Sequence, residues 1–235
     1  MATIYLIRHG QASFGAANYD QLSPLGQLQA SRTGQYLAQT GVKLDAAYSG
    51  DLWRQRETCQ LACKELADAV PHTVDARFNE INNDEQVRTL APLLAEQNES
   101  FKRLIEGGLS SSKDYQKVID AVFNYWVSDD CNEPGIQSWQ EYSGQVHTAL
   151  ADVMRKEGSG KTIAIFTSGG TIATLVAHVL GLGGSQAYQF YEPVFNCSVT
   201  QLFYSGEKVS LSYFNDRSFL QLLGEENSEQ LVSYR

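Results

Sequence analysis

Three short stretches of this sequence end apolar runs on chemically capable side chains. "ATIYLIRHG" carries a buried-strand pattern, Ile4, Leu6 and Ile7, straight into Arg8, His9 and Gly10. "AAYSGDLWRQRET" places Arg54 and Arg56 in the first turns of a helix that follows a second run. "TIAIFTSGGTIATL" passes through Thr167, Ser168, Gly169 and Gly170 before an apolar helix begins. In open α/β sheets, ligands sit outside the carboxyl ends of the strands. Free N–H groups at a helix N-terminus favour an anion there. Guanidinium groups, helix-end amides and an imidazole converging on one point suit a phosphoryl group.

The elements that must hold these residues alternate between strands and helices. After the first strand, "LSPLGQLQASRTGQYLAQTG" reads as a helix with Ser23 as N-cap, Pro24 at its first position and Gly41 at its end. "LDAAYS" reads as a second strand, and "DLWRQRETCQLACKELADAV" as a helix that Pro71 stops. "TVDARF" is a third strand candidate. From about residue 82 to 137 the alternation gives way to two helical stretches, "DEQVRTLAPLLAEQ" and "KDYQKVIDAVFNYWVS", an insertion expected to cover one end of the sheet. "EYSGQVHTALADVMRKE" is a further helix, and "CSVTQLFYSGEKVSLSYFN" a hairpin turning at Ser205-Gly206. The expectation is one domain over 1–235. Its fold class is a three-layer α/β/α sandwich on a mainly parallel central sheet.

A formal net charge of -9 argues against a general nucleic-acid binder, which needs a surplus of Lys and Arg to neutralise phosphates. No run approaches the ~20 apolar residues of a membrane helix, and the first apolar run is too short for a signal peptide. Cys59, Cys63, Cys131 and Cys197 contain no CxxC pair, so a zinc site is not indicated. Reduced thiols in a cytoplasmic protein are the default reading. The expected partner is a small phosphorylated substrate, with no nucleic acid, no membrane and a homodimer as the candidate assembly.

"LIRHGQASF" followed by "YDQLSPLGQLQA" resembles the histidine phosphatase superfamily, which includes the phosphoglycerate mutases, and the resemblance extends over nearly the whole chain. "YSGDLWRQRET" is similar to the family's second motif and implies that Arg54 binds phosphate. "FNEINND" resembles the segment carrying the acidic proton donor, which points to Glu80. The resemblance implies that His9 attacks phosphorus and carries a transient phosphohistidine while Arg8 and Arg54 hold the phosphoryl oxygens. Glu80 then protonates the leaving alcohol and later activates water. Neither a metal nor a cofactor is expected, because the arginines neutralise the charge. Gln11 and Ser13 are further candidates for phosphate contact.

One departure matters. The family's last motif is usually Ser-His-Gly-Gly, and its histidine also contacts the phosphoryl group; here Ser168 holds that position beside Gly169. His178 lies ten residues along the helix, roughly 15 Å away at 1.5 Å per residue. A neutral hydroxyl donor in place of a charged one costs about 1–2 kcal/mol, or roughly 5- to 30-fold in rate. The expectation is a slowed phosphatase in which Ser168→His raises turnover. Phe14-Gly15 and Ile136-Gln137-Ser138 also depart from the mutase pattern and count against a glycolytic mutase.

Other function classes fit less well. A serine hydrolase elbow at Ser168 needs a glycine at Phe166 and a later histidine than His178. "GGLSSSK" has Ser112 where a P-loop has glycine. The serious rival is a phosphate-binding or regulatory module that kept the pocket without turnover. Against it, binding alone needs neither His9 nor Glu80.

Overall fold

The computed structural model describes residues 1–13, 20–108, 111–227 and 230–234. Phe14 and Gly15 lie outside the described residues. In chain order the elements are β1 (Ala2–Arg8), α1 (Pro24–Gln39), β2 (Ala46–Ser49), α2 (Trp53–Lys64), β3 (His72–Val74), α3 (Asn83–Gln97), α4 (Glu99–Glu106), α5 (Ser112–Trp126) and α6 (Trp139–Glu157). Then come β4 (Thr162–Thr167), α7 (Gly169–Val179), α8 (Gly184–Tyr191), β5 (Val199–Ser205), β6 (Lys208–Asp216) and α9 (Ser218–Asn227).

Side chains of successive strand residues point to opposite faces, so a strand that is apolar at every position must be covered on both sides. β1 does this: Ile4 and Leu6 enter one core and Ile7 the other. β4 repeats the division, with Ile163 and Ile165 on the first side and Ala164 and Phe166 on the second. Apolar residues of α1, α2 and α9 fill the second core, while α3 to α8 fill the first. The result is helices on both faces of a six-stranded sheet in the order β3-β2-β4-β1-β5-β6. β3, β2, β4 and β1 are mutually parallel; β5 and β6 are antiparallel additions at one edge.

The registers Arg8↔Thr167 and Ser49↔Phe166 bring the carboxyl ends of β1, β4 and β2 level with one another. Where β1 ends, the chain must pass the first turn of α1. A Cβ on Gly10 would stand 2.3 Å from the Gly26 carbonyl oxygen, and one on Gly26 would stand 2.1 Å from the Gln11 carbonyl oxygen. The two glycines of "RHG" and "LSPLG" are therefore one packing contact. Ser23 caps α1 as expected, accepting the Gly26 N–H, with Pro24 at the first helical position.

Several local expectations are corrected. Of the third strand candidate only Thr73 and Val74 pair in the sheet, in a strand that begins one residue earlier at His72; Asp75 accepts the Arg77 N–H and turns residues 76–78 into a single 3-10 turn. α2 ends at Lys64, well before Pro71, where the N–H of Glu65 turns back to the Ala62 carbonyl and that of Leu66 to the Cys63 carbonyl. The insertion holds a third helix, α4, which Asn98 starts by accepting the Ser100 and Phe101 N–H groups. The final hairpin turns at Gly206-Glu207, with Gly206 in the left-handed region at φ 59°. Among the described residues no helix is long and apolar enough to cross a membrane.

Candidate active site

His9 leaves β1 with its N–H donated to the Thr167 carbonyl (2.8 Å), so the neighbouring strand fixes the backbone of the imidazole's residue. Its Nδ1 lies 2.7 Å from the Gly10 carbonyl oxygen, which can only accept, so the ring proton sits on Nδ1. The lone pair is then on Nε2, where the Nε–H of Arg54 donates to it at 3.2 Å. Burial, with Arg54 and then Arg8 close by, holds the His9 pKa well below that of a free imidazole. The ring is neutral at physiological pH and presents its lone pair at one defined atom.

The supports around it are largely backbone and buried polar groups. Gly10 donates its N–H to Thr58 Oγ1 of α2 (3.0 Å), and Thr58 in turn bonds the Arg54 carbonyl. Asn196 donates its side-chain amide to the His9 carbonyl (3.2 Å). Arg54 is held from the other side by Asp20, whose carboxylate lies 2.7 Å from one terminal nitrogen and also accepts the Trp53 N–H. Arg8 donates to the Val194 and Tyr234 carbonyls. Residues 231–234 are tied down nearby: Gln29 donates to the Leu231 carbonyl and to Ser233 Oγ, and Ser233 donates to Asn196.

Glu80 reaches the same place from the segment that follows β3. Its Oε1 accepts the N–H of Gly170 at 2.9 Å and of Ile81 at 3.0 Å. Both lone pairs of that oxygen are thereby committed, which leaves Oε2 to carry a proton. Burial raises the Glu80 pKa even though Arg54 and Arg8 pull it down. A Cβ on Gly170 would stand 2.4 Å from Oε1, so α7 must begin with glycine there for the carboxyl to approach. Tyr191 closes this side: its ring carbons lie 3.2 Å from where a Gly169 Cβ would be, and its hydroxyl accepts from Asn83 at the start of α3 (2.7 Å).

The structure thus gathers His9, Arg54 and Glu80 with Arg8 and Gly169 at the carboxyl ends of the parallel strands. The Gln11 side chain accepts from Ser23 Oγ, which ties the loop to the start of α1, and the Ser13 backbone N–H donates to the Gln21 carbonyl. Ser168 is fully buried, and its Oγ accepts from Gln55 Nε2 at 2.8 Å. This changes what Ser168→His is expected to do, because the direction a longer side chain would follow is filled by Gln55. His147 and His178 stack on each other at 3.8 Å between α6 and α7, so His178 is no substitute for the missing imidazole. Sequence reasoning missed Asp20, Gln55, Tyr191 and Asn196. Asp20 stands inside the quoted "YDQLSPLG" and carries the only acidic charge there, which was the available signal. Among the described residues no group of three or more His, Cys, Asp or Glu could hold a metal ion.

The family model described as "Histidine phosphatase superfamily (branch 1)" matches this chain over residues 4–107 and 105–217. The chain belongs to the histidine phosphatase superfamily. Membership supports a phosphatase-type activity. Among curated relatives, the protein named "Probable phosphoglycerate mutase GpmB" from Salmonella paratyphi B is 24% identical over 210 residues, covering 87% of this chain and 86% of the relative. Two solved structures share the fold. Bacillus stearothermophilus YhfR has a TM-score of 0.67 at 20% identity, covering 93% of this chain and 99% of its own. A phosphoserine phosphatase mutant from Entamoeba histolytica, in complex with phosphoserine, has a TM-score of 0.63 at 19% identity, covering 94% and 100%.

Proposed function

We propose that this chain is a phosphomonoester hydrolase that works through a phosphohistidine at His9 on a small phosphorylated substrate. The observation that carries the reading is the orientation of one ring: Nδ1 is engaged by the Gly10 carbonyl, and Nε2 faces the Arg54 guanidinium. A phosphoryl group held by Arg54 and Arg8 would present its phosphorus to that lone pair. Nε2 forms the P–N bond as the P–O bond to the leaving alcohol breaks, and Glu80 gives its proton to the departing oxygen. Water then attacks phosphorus, the P–N bond breaks, and the Glu80 carboxylate takes the proton from water. Inorganic phosphate leaves, and His9 and Glu80 return to their starting states. The arginines stabilise the equatorial oxygens, the work a metal cation does at other phosphoryl-transfer sites. The Gly169 N–H and the Ser168 hydroxyl add donors at the start of α7, and Gln11 and Ser13 complete the proposed phosphate contacts.

The activity needs His9 unprotonated and Glu80 protonated. His9 has a lowered pKa and Glu80 a raised one, so the rate falls in acid as His9 gains a proton and falls in base as Glu80 loses one. The optimum lies between the two limbs.

Ser168 in place of a histidine favours a second reading, a phosphate-binding module without turnover. Hydrolysis of p-nitrophenyl phosphate across mildly acidic pH separates the two, with His9→Ala as control. Likeness to a phosphoserine phosphatase puts phosphoserine and other small phosphorylated metabolites first on the wider panel. Turnover above the His9→Ala background supports the hydrolase; none on the whole panel supports the binding module.

A further inference from the structure

Gln55 follows Arg54 on α2 and is fully buried. Its side-chain Nε2 donates to Ser168 Oγ at 2.8 Å and to the Phe78 carbonyl at 3.2 Å, so both N–H bonds are used. The amide orientation follows from those partners, since the opposite one would set Oε1 against a carbonyl oxygen. Gln55 Oε1 itself is buried with no donor among the described residues, so the residue is not there to satisfy its own polar groups. Ser168 has given up its ordinary local task as well. An N-cap serine usually accepts an N–H from the second or third residue of its helix. Ser168 is the N-cap of α7 and makes no such bond, and the N–H of Gly170, the second residue, goes to Glu80 instead. With its oxygen accepting from Gln55, the Ser168 hydroxyl hydrogen has no acceptor among the described residues, although the side chain is fully buried. Buried donors without acceptors are rare and call for an explanation. Ser168 also follows Thr167, whose carbonyl holds the His9 N–H.

We propose that Gln55 is a positioning residue for Ser168. By occupying the hydroxyl oxygen with an N–H donor it leaves the Ser168 O–H as a committed donor to the phosphoryl group, and the Gln55–Ser168 pair thereby fills the role of the family's second histidine. The inference rests on the phosphoryl-binding reading of this site and names how its serine takes part.

A double-mutant cycle on the whole chain tests it, with Ser168→Ala, Gln55→Leu and the double variant. The readouts are kcat and KM for p-nitrophenyl phosphate, the dissociation constant of inorganic phosphate by calorimetry, and the melting temperature. Each single substitution is expected to lower kcat/KM and phosphate affinity by about 3- to 10-fold, the worth of one neutral hydrogen bond. The double variant is expected to be no worse than the weaker single one. Gln55→Glu, which offers Ser168 only an acceptor, gives the same loss and serves if Gln55→Leu does not fold. Losses that add, or phosphate affinity that survives Ser168→Ala unchanged while only the melting temperature moves, overturn the proposal. If wild type binds phosphate yet hydrolyses nothing, the hydrolase reading fails alone, and the cycle on phosphate affinity still decides this one.

Discussion

Gly10 brings the end of β1 against the Gly26 carbonyl, where an added Cβ would sit 2.3 Å away, whereas Phe123 in α5 meets Trp126, Trp139, Tyr188 and Tyr191 with ring centroids 5.2–6.0 Å apart. The first region is placed by backbone atoms and single hydrogen bonds, so only particular residue types fit. The second is placed by apolar volume, which many side chains can supply in several arrangements. The proposed chemistry sits in the region that tolerates little, and the insertion beside it is built from packing that tolerates much. Asn83 and Tyr191 are where the two meet, one hydrogen bond linking the insertion to the ring over Gly169.

The largest expected effect falls on the strand-end side. Glu80→Gln keeps an oxygen for the Gly170 and Ile81 N–H groups but removes the transferable proton. For an alkyl phosphate it should lower kcat by about 10²–10⁴-fold. p-Nitrophenyl phosphate, whose leaving group needs little protonation, should lose much less. The alkaline limb of the pH profile should vanish with the substitution while the acidic limb, set by His9, remains. Equal losses on both substrates with both limbs intact would remove Glu80 from the mechanism.

The insertion should respond in the opposite sense. Phe123→Ala removes a fully buried ring and should cost about 3–5 kcal/mol in a urea titration. Turnover of p-nitrophenyl phosphate measured well below the melting temperature should stay within a few-fold. A rate loss as large as that of Glu80→Gln would mean that the aromatic cluster positions the reacting groups, and the contrast would fail.

The smallest effect is expected where a single side chain fills the gap between two elements. Ser168→His should lower kcat/KM by a few-fold, because Gln55 stands 2.8 Å from the serine oxygen. Ser168→His combined with Gln55→Ala should recover that loss. A gain in turnover from Ser168→His alone would show that the imidazole finds room that the position of Gln55 denies it.

The same contrast decides what was legible in the sequence. "RHG", "LSPLG" and Ser23-Pro24 could be read because a glycine contact and a helix cap admit few substitutes, and the alternation of apolar runs gave the strands and their helices. Arg54 and Glu80 came through a resemblance whose motifs mark that same rigid region. Gln55 gave no signal, since a glutamine inside a helix acquires its meaning only from Ser168, 113 residues later. α4 was hidden because eight residues with Phe101 as their one buried side chain leave too short a periodic pattern. The antiparallel placement of β5 beside β1 depends on chain reversal between α8 and β5, which apolar periodicity does not encode.

One carbonyl that holds the Arg8 guanidinium belongs to Tyr234, which is made 226 positions after it. A ribosome adding about 5–20 residues per second needs roughly 10–45 s to cover that distance. During that interval β1 exists without the segment that helps to steady Arg8. The setting of Arg8 is therefore complete only once the segment around Tyr234 has been made and has folded back onto β1.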